Sequence, residues 1–212
     1  MTYLILFATL MGGLYLAIDA TAGERERGSL DLLLSLPITR LELLLGKYLG
    51  LAAALALSTL AGFGMVAVLL SRQMSWASMY HYFGFMLSSV LLGLAFLSLA
   101  VLLSVLARDR TRASGLAIAT WFFFVLVFDL LLLGVLVGSG GRFGGESFAL
   151  LLLLNPADVF RILNVFSLED VRTLYGLATV VPPAMGSPLK MGGAMLVWIA
   201  VPLALAHWRF KP

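Results

Sequence analysis

The sequence of 212 residues contains no cysteine and only two histidines, His81 and His207. Without cysteine the chain can form no disulfide, bind no metal through thiolates and use no cysteine nucleophile. Charged residues are also scarce, at 12% of the sequence, whereas soluble domains have about 25%. Hydrophobic residues make up 61% of the chain, so it needs a non-aqueous solvent. The composition therefore predicts an all-α, polytopic transmembrane bundle that forms a single domain over residues 1–212.

Five apolar stretches are long enough to cross a membrane, which takes roughly 20 residues of helix. They cover about 2–19, 48–70, 83–106, 115–137 and 189–207. If the polar segment after the first stretch is cytoplasmic, nine of the 14 lysines and arginines lie inside and five outside. This bias places the N-terminus outside and the C-terminus inside. The net charge of +3 is small and lies in loops, so no nucleic-acid partner is expected.

Residues 21–47 form a polar segment, TAGERERGSLDLLLSLPITRLELLLGK, which we call the coupling segment. Ser29 can cap a short leucine-rich helix near the membrane surface. Pro37 ends that helix, because the proline ring disfavours a helical residue before it. Thr39 and Glu42 fit a capping box, which predicts a second helix that continues into the next span.

The charges at the start of the coupling segment alternate in sign. Glu24, Arg25, Glu26 and Arg27 carry this alternation. An amphipathic helix that only anchors the chain to anionic lipid would favour a purely basic face. The alternation therefore favours docking to a protein, with lipid anchoring as the alternative.

Asp129 lies about halfway along the apolar stretch 115–137. A carboxylate there costs about 2.5–3.5 kcal/mol on insertion scales, so we expect it to face the bundle interior or a wet cavity. One interpretation is a group that handles cargo or protons. The other is an interhelical hydrogen bond, with Ser88, Ser89 or Ser98 as the partner.

A second polar group begins at Asn155, which can cap a helix that has Pro156 at its first position and Asp158 in its first turn. The short apolar run 148–154 before it is too short to cross, so we expect a re-entrant helix pair within an outer region, 138–188. We interpret this pair as an outer gate or a seat for a periplasmic partner, or else as an interfacial helix that closes the bundle. The residues of this outer site are Asn155, Pro156, Asp158 and Arg161.

The coupling segment resembles that of the ABC-2 class of ABC-transporter permeases. The shared pattern is an acidic and basic run, a glycine, a leucine-rich helix, a proline, an arginine, an acidic residue and Gly-Lys. It stands here as Glu24, Arg25, Glu26, Arg27, Gly28, Leu32, Leu33, Leu34, Pro37, Arg40, Glu42, Gly46 and Lys47. The resemblance implies that these residues form the coupling helix region that docks on a separate cytoplasmic ATPase. That subunit would bind ATP and Mg, and this chain would bind no cofactor and no metal.

The second half is similar to permeases of nitrous oxide reductase maturation, the NosY type. Residues 87–104, 114–133 and 151–165 carry the similarity, above all FVLVFD at 124–129 and LNPADVFRILN at 154–164. The resemblance implies a homodimer in the lipid of the bacterial inner membrane. It also implies a periplasmic maturation protein of the NosD type and a sulfur species for the copper site as cargo.

Six spans are typical of this family, whereas five are predicted here. The resemblance thus implies that an interfacial helix and a first span before residue 1 are missing from this sequence. GERERG at 23–28 also resembles permeases that export sodium or small molecules, so generic export remains an alternative. A non-transporting membrane assembly factor is another. An enzyme is disfavoured, because the sequence has no Ser/His, paired-Asp or HExxH constellation.

Overall fold

The computed structural model describes residues 22–23, 37–140, 150–165 and 187–210. In these ranges every regular element is helical, which confirms the all-α prediction. The elements are α1 (Arg40–Leu70), α2 (Trp76–Leu106), α3 (Arg110–Gly138), α4 (Pro156–Val165) and α5 (Pro188–Arg209).

Four of these helices, α1, α2, α3 and α5, are long and apolar enough to cross a membrane. They contain the predicted spans 48–70, 83–106, 115–137 and 189–207, which are therefore confirmed. The first predicted span, 2–19, lies outside the described residues. With 31 residues each, α1 and α2 are about 46 Å long, whereas the hydrocarbon core is about 30 Å thick. Their ends therefore extend beyond the apolar layer.

A π-helical segment, Phe123–Val127, interrupts α3. There the backbone N–H of Phe128 donates to the carbonyl of Phe123, five residues earlier. Such wide turns are rare and often occur at functional sites. The segment ends two residues before Asp129, one of the candidate functional residues.

The chain forms two compact units. The first consists of 1–61, 93–121 and 198–212, and the second of 62–92 and 122–197. Each of the four long helices contributes one part to each unit. The prediction of a single permease domain over 1–212, with an outer region at 138–188, stays a prediction.

The core of the first unit gathers around α2, which is the most buried of the long helices. In an apolar stretch of 18 residues within α2, 67% of the residues are buried, against 17% in the corresponding stretch of α1 and 6% in that of α3. Small side chains at the contacts let helix backbones approach closely in membranes. The core residues include Leu44 and Tyr48 from α1, Leu97, Ala100, Val101 and Val105 from α2, Ala113 and Ala117 from α3, and Ala206 from α5.

Helix α1 packs closely against α2 at Gly93. A Cβ atom built there would lie 2.8 Å from Cδ2 of Leu55 on α1. We expect Gly93→Val to cost about 1–3 kcal/mol through overpacking, whereas Gly93→Ala needs only a small shift of the flexible Leu55 end. Thermal unfolding in detergent measures this difference. Gly84→Val on the same helix is the matched control, because a Cβ at Gly84 has no neighbour within 4 Å among the described residues. Equal melting temperatures for the two valine variants would contradict the prediction.

In the second unit, aromatic rings join α1, α2 and α4. The hydroxyl of Tyr82 donates to the carbonyl of Phe63 at 2.9 Å, and the ring of Phe85 lies 6.0 Å from that of Phe160 on α4. Val159, Phe160 and Ile162 are buried, as the apolar pattern of α4 predicts. Helix α4 is thus held by apolar contacts on one side, which positions its polar residues.

Candidate functional site

The coupling segment is described in part. Its charged start, Glu24, Arg25, Glu26, Arg27 and Gly28, and the short helix expected after it lie outside the described residues. Their docking role therefore stays a prediction. Of the remaining candidates, Pro37 precedes α1 and is exposed, while Arg40, Glu42, Gly46 and Lys47 lie on α1 itself.

The capping box at the start of α1 is confirmed. A carboxylate oxygen of Glu42 accepts from the backbone N–H of Thr39 at 2.7 Å, and the hydroxyl of Thr39 accepts from the N–H of Glu42 at 3.2 Å. These reciprocal bonds satisfy backbone donors that the first turn leaves without partners. From this cap α1 runs without interruption to Leu70, as predicted. The end of the coupling segment and the following span are thus one rigid rod.

Both described ends of the coupling segment contact the core of the first unit. At its start, the backbone N–H of Ala22 donates to the hydroxyl of Ser104 on α2 at 2.9 Å. Near its end, Nη1 of Arg40 donates to the carbonyl of Phe210, directly after α5, at 3.4 Å. Sequence reasoning assigned Arg40 to ATPase docking and did not find the anchor at Ser104. No local signal identifies that contact, because 82 residues separate its partners.

The predicted cap at Asn155 is confirmed. Its Oδ1 accepts from the backbone N–H of Ala157 at 2.9 Å, and α4 begins at Pro156. Its Nδ2 donates both to the carbonyl of Phe124 in the π-helical segment, at 2.8 Å, and to Oδ2 of Asp158, at 2.9 Å. Asn155 is fully buried. One side chain therefore starts α4, fixes it to α3 and orients a carboxylate.

Arg161 bridges two carboxylates from different helices. Its Nη1 lies 2.5 Å from Oδ2 of Asp129 on α3 and 2.9 Å from Oδ1 of Asp158 on α4. The Asp158 side chain is only 5% exposed, whereas those of Arg161 and Asp129 are 33% and 38% exposed. The intramembrane carboxylate and the outer site, which the sequence treats as separate, are therefore one group. We call Asp129, Asn155, Asp158 and Arg161 the outer cluster.

The prediction of a serine partner for Asp129 is wrong. Ser88 donates to Oδ1 of Asn164 at 3.0 Å, and Ser89 donates to the carbonyl of Phe85, four residues earlier on its own helix. Ser98 donates to the carbonyls of Ala95 and Trp198. Arg161 forms a hydrogen-bonded ion pair with Asp129 instead. A guanidinium compensates the charge of a carboxylate, which a hydroxyl cannot do.

Burial raises the pKa of Asp158 to about 6, while the nearby positive charge of Arg161 acts in the opposite direction. The negative charge of Asp129 adds to the increase. Two carboxylates sharing one guanidinium thus leave the cluster with an excess negative charge when both are ionised. Burial therefore favours the protonated form of Asp158.

Polar residues recur at every third position from Asn155 to Asn164, and this spacing could have identified the α4 members of the cluster from the sequence, but not Asp129. Asn155, Asp158, Arg161 and Asn164 each form a hydrogen bond to α2 or α3, or to another member of the series. Residues three apart are neighbours on a helix surface. The polar residues of α4 therefore contact α2 and α3, while Phe160 packs against the ring of Phe85.

The chain is similar to known proteins over nearly its whole length. The family model described as "ABC-2 family transporter protein" matches residues 2–212. A "Probable ABC transporter permease protein NosY" of Stutzerimonas stutzeri is 42% identical over 207 residues, which cover 93% of this chain and 73% of the relative. A protein of the same description from Pseudomonas aeruginosa is 42% identical over 218 residues, which cover 100% of this chain and 78% of the relative.

Proposed function

This chain belongs to the ABC-2 family of transporter proteins and is a permease subunit, and we propose that it serves the maturation of nitrous oxide reductase. The observation that carries the proposal is the 42% identity to two NosY permeases over nearly the whole chain. In this proposal the permease is a homodimer in the bacterial inner membrane. It moves a sulfur species for the copper site and works with a periplasmic maturation protein of the NosD type.

The proposed mechanism is mechanical. A separate cytoplasmic ATPase binds and hydrolyses ATP with Mg, and its closure displaces the coupling segment. The continuous helix from the Thr39 cap to Leu70 supports this idea, because a displacement at the cap moves the whole of α1. No bond in the cargo has to be made or broken by this chain.

The outer cluster is the proposed gate of this path. Arg161 has a carboxylate partner on its own helix, Asp158, and a second one on α3, Asp129. The contact to α3 can therefore open without leaving the guanidinium unpaired. Opening frees the carboxylate of Asp129, which then needs water, a proton or cargo, because an unpaired charge is costly in a membrane. A seat for the periplasmic partner is the alternative role of the same residues.

The function is tested by deleting the gene in its host and measuring the copper site of nitrous oxide reductase. We expect reductase protein to be made but to lack the optical spectrum of its mature copper site, and a plasmid copy of the gene to restore it. Fully mature reductase in the deletion strain would overturn the proposal and favour generic export or another assembly role.

The docking role predicts that charge reversal of Arg25 and Arg27 releases the ATPase. Arg25→Glu with Arg27→Glu turns attractive pairs into like-charge pairs, which cost several kcal/mol at an interface. We expect about a tenfold or greater loss of ATPase that co-purifies with the tagged permease. Arg72→Glu, in the turn between α1 and α2, is the matched control. ATPase binding that survives the double reversal would count against docking through these residues.

The gate role predicts that Asp129→Asn preserves assembly but uncouples transport. The amide oxygen of asparagine still accepts from Arg161, while the negative charge is lost. We expect normal yield and ATPase binding, with a severalfold lower transport-coupled ATP hydrolysis. Asp109→Asn, at the cytoplasmic start of α3, makes the same chemical change as a control. Unchanged coupled hydrolysis in Asp129→Asn would show that Asp129 is structural only.

A further inference from the structure

Near both of its ends, the coupling segment is hydrogen-bonded to residues of other long helices or directly after them. At its start the N–H of Ala22 donates to the hydroxyl of Ser104 on α2. Near its end Arg40 donates to the carbonyl of Phe210, which follows α5. All four residues belong to the first compact unit, and three of them contribute to or border its core. The segment therefore has direct links to two long helices besides α1.

The link to α2 is rigid. Ala22 and Ser104 are both fully buried, their hydrogen bond is 2.9 Å long, and Ala22 belongs to the same buried apolar cluster as Val101 and Val105. A backbone N–H buried among such groups has no water to replace its partner, so breaking this bond is costly. Because α2 is also the most buried of the long helices, a displacement of Ala22 acts on the centre of the unit.

The link to α5 uses the negative end of a helix. Carbonyl groups in the last turn lack intrahelical partners and attract cations. The Nη1 of Arg40 reaches the carbonyl of Phe210, whose own N–H remains bonded to the carbonyl of Ala206 in α5. Phe210 is 7% exposed and packs in the core. The start of α1 is thus tied to the end of α5 by a charge-assisted contact.

We propose that Ser104 and Arg40 are positioning residues that fasten the coupling segment to α2 and α5, so that both helices move when the segment is displaced. This inference rests on the proposed ATP-driven function. It differs from a mechanism in which only the spans continuous with the segment are pushed. Neither residue touches nucleotide or cargo in this role.

The 212 residues contain no cysteine, so a single introduced thiol can report on one chosen position of this chain. Trp76→Cys reports on α2 and Leu189→Cys on α5, since both positions are almost fully exposed near the first residue of their helix. The complex of permease and ATPase is placed in lipid nanodiscs. The rate of labelling by a membrane-impermeant maleimide is measured without nucleotide and with ATP and vanadate.

Without its hydrogen bond to the coupling segment, each helix should lose most of its response to nucleotide. We expect Ser104→Ala to reduce the nucleotide-dependent change in labelling rate at position 76 about tenfold. The loss of one buried hydrogen bond shifts an equilibrium by about that factor. Arg40→Gln should have the corresponding effect at position 189. Ser104→Thr keeps the hydroxyl and Arg40→Lys keeps the charge, so each should restore part of the change. ATPase binding and basal ATP hydrolysis should persist in both Ser104 variants, and the two Arg40 variants are compared with the wild type at equal amounts of bound ATPase.

Two matched controls separate coupling from stability. Ser89→Ala removes a buried hydroxyl on α2 that bonds within its own helix, and Arg72→Gln removes an exposed arginine. Both should keep the full labelling response. A normal response in Ser104→Ala and Arg40→Gln would overturn the inference alone. A wild-type complex that never retains the ATPase would instead overturn the proposed function, and this inference with it.

Discussion

Replacing Arg161 with methionine should destabilise the folded permease by about 3 kcal/mol. Its guanidinium is the described partner of both Asp129 and Asp158, and removing one member of a buried ion pair leaves uncompensated charge. The value lies at the lower end of the range for buried pairs, because Arg161 and Asp129 are about one-third exposed. Thermal unfolding in detergent, followed by tryptophan fluorescence, measures the loss.

Three further variants test whether uncompensated charge causes the loss of stability in Arg161→Met. Arg161→Lys keeps the charge but not the planar fork, so its melting temperature should fall between those of the wild type and Arg161→Met. Adding Asp129→Asn to Arg161→Met should recover stability, because one unpaired charge is removed. Arg112→Met is the control: its pair with Asp109 is exposed, and such pairs contribute about 0–1 kcal/mol. A loss in Arg112→Met as large as in Arg161→Met would contradict the special role of the outer cluster.

Replacing Asn155 with alanine should cost about as much as the loss of Arg161. The buried amide caps α4 and donates to both the carbonyl of Phe124 and the carboxylate of Asp158. A lost cap costs about 1 kcal/mol and each unmade buried hydrogen bond about 1 kcal/mol more, so we expect about 3 kcal/mol in total. The same unfolding assay applies, and increased proteolysis near α4 should accompany the loss.

Asn155→Ser separates the contribution of the helix cap from that of the two hydrogen bonds that Asn155 donates. Asn155→Ser keeps a capping oxygen but cannot donate to Phe124 and Asp158 together, so it should restore about 1 kcal/mol. Ser75→Ala removes an exposed cap at the start of α2, where the serine hydroxyl accepts from the N–H of Ser78. Ser75→Ala should lower the free energy of unfolding only by the contribution of a helix cap, about 1 kcal/mol. If Asn155→Ala were no worse than Ser75→Ala, the bond to the π-helical segment of α3 would be unimportant.

Local features of this permease were predictable from neighbouring residues. The Thr39–Glu42 box and the Asn155–Pro156 start each depend on groups within three positions of one another, so the sequence alone identifies them. The spans were predictable because about 20 apolar residues suffice to cross the hydrocarbon layer, whatever their neighbours are. The start of α2 was less predictable, since this helix begins at Trp76 and extends past its apolar stretch by polar and aromatic residues.

The partners of polar groups were not predictable in this way. Three serines were proposed for Asp129, whereas Arg161 holds it, and the contact of Arg40 with the end of α5 was not predicted. Each of these contacts joins residues that are distant in the chain, and many distant residues have the required chemistry. Which of them meets its partner depends on how helices are placed around α2, and the periodicity of the sequence does not specify that placement.

The sequence by itself determined the membrane class, the all-α architecture, the two capped helix starts and the family, because these depend on composition and on short patterns. Only the tertiary structure decided that Asp129 and the residues around Asn155 form one cluster and that the coupling segment is tied to α2 and α5. The physical reason is that a buried charge or N–H group must find a partner. The chain supplies several candidates, and helix packing selects one.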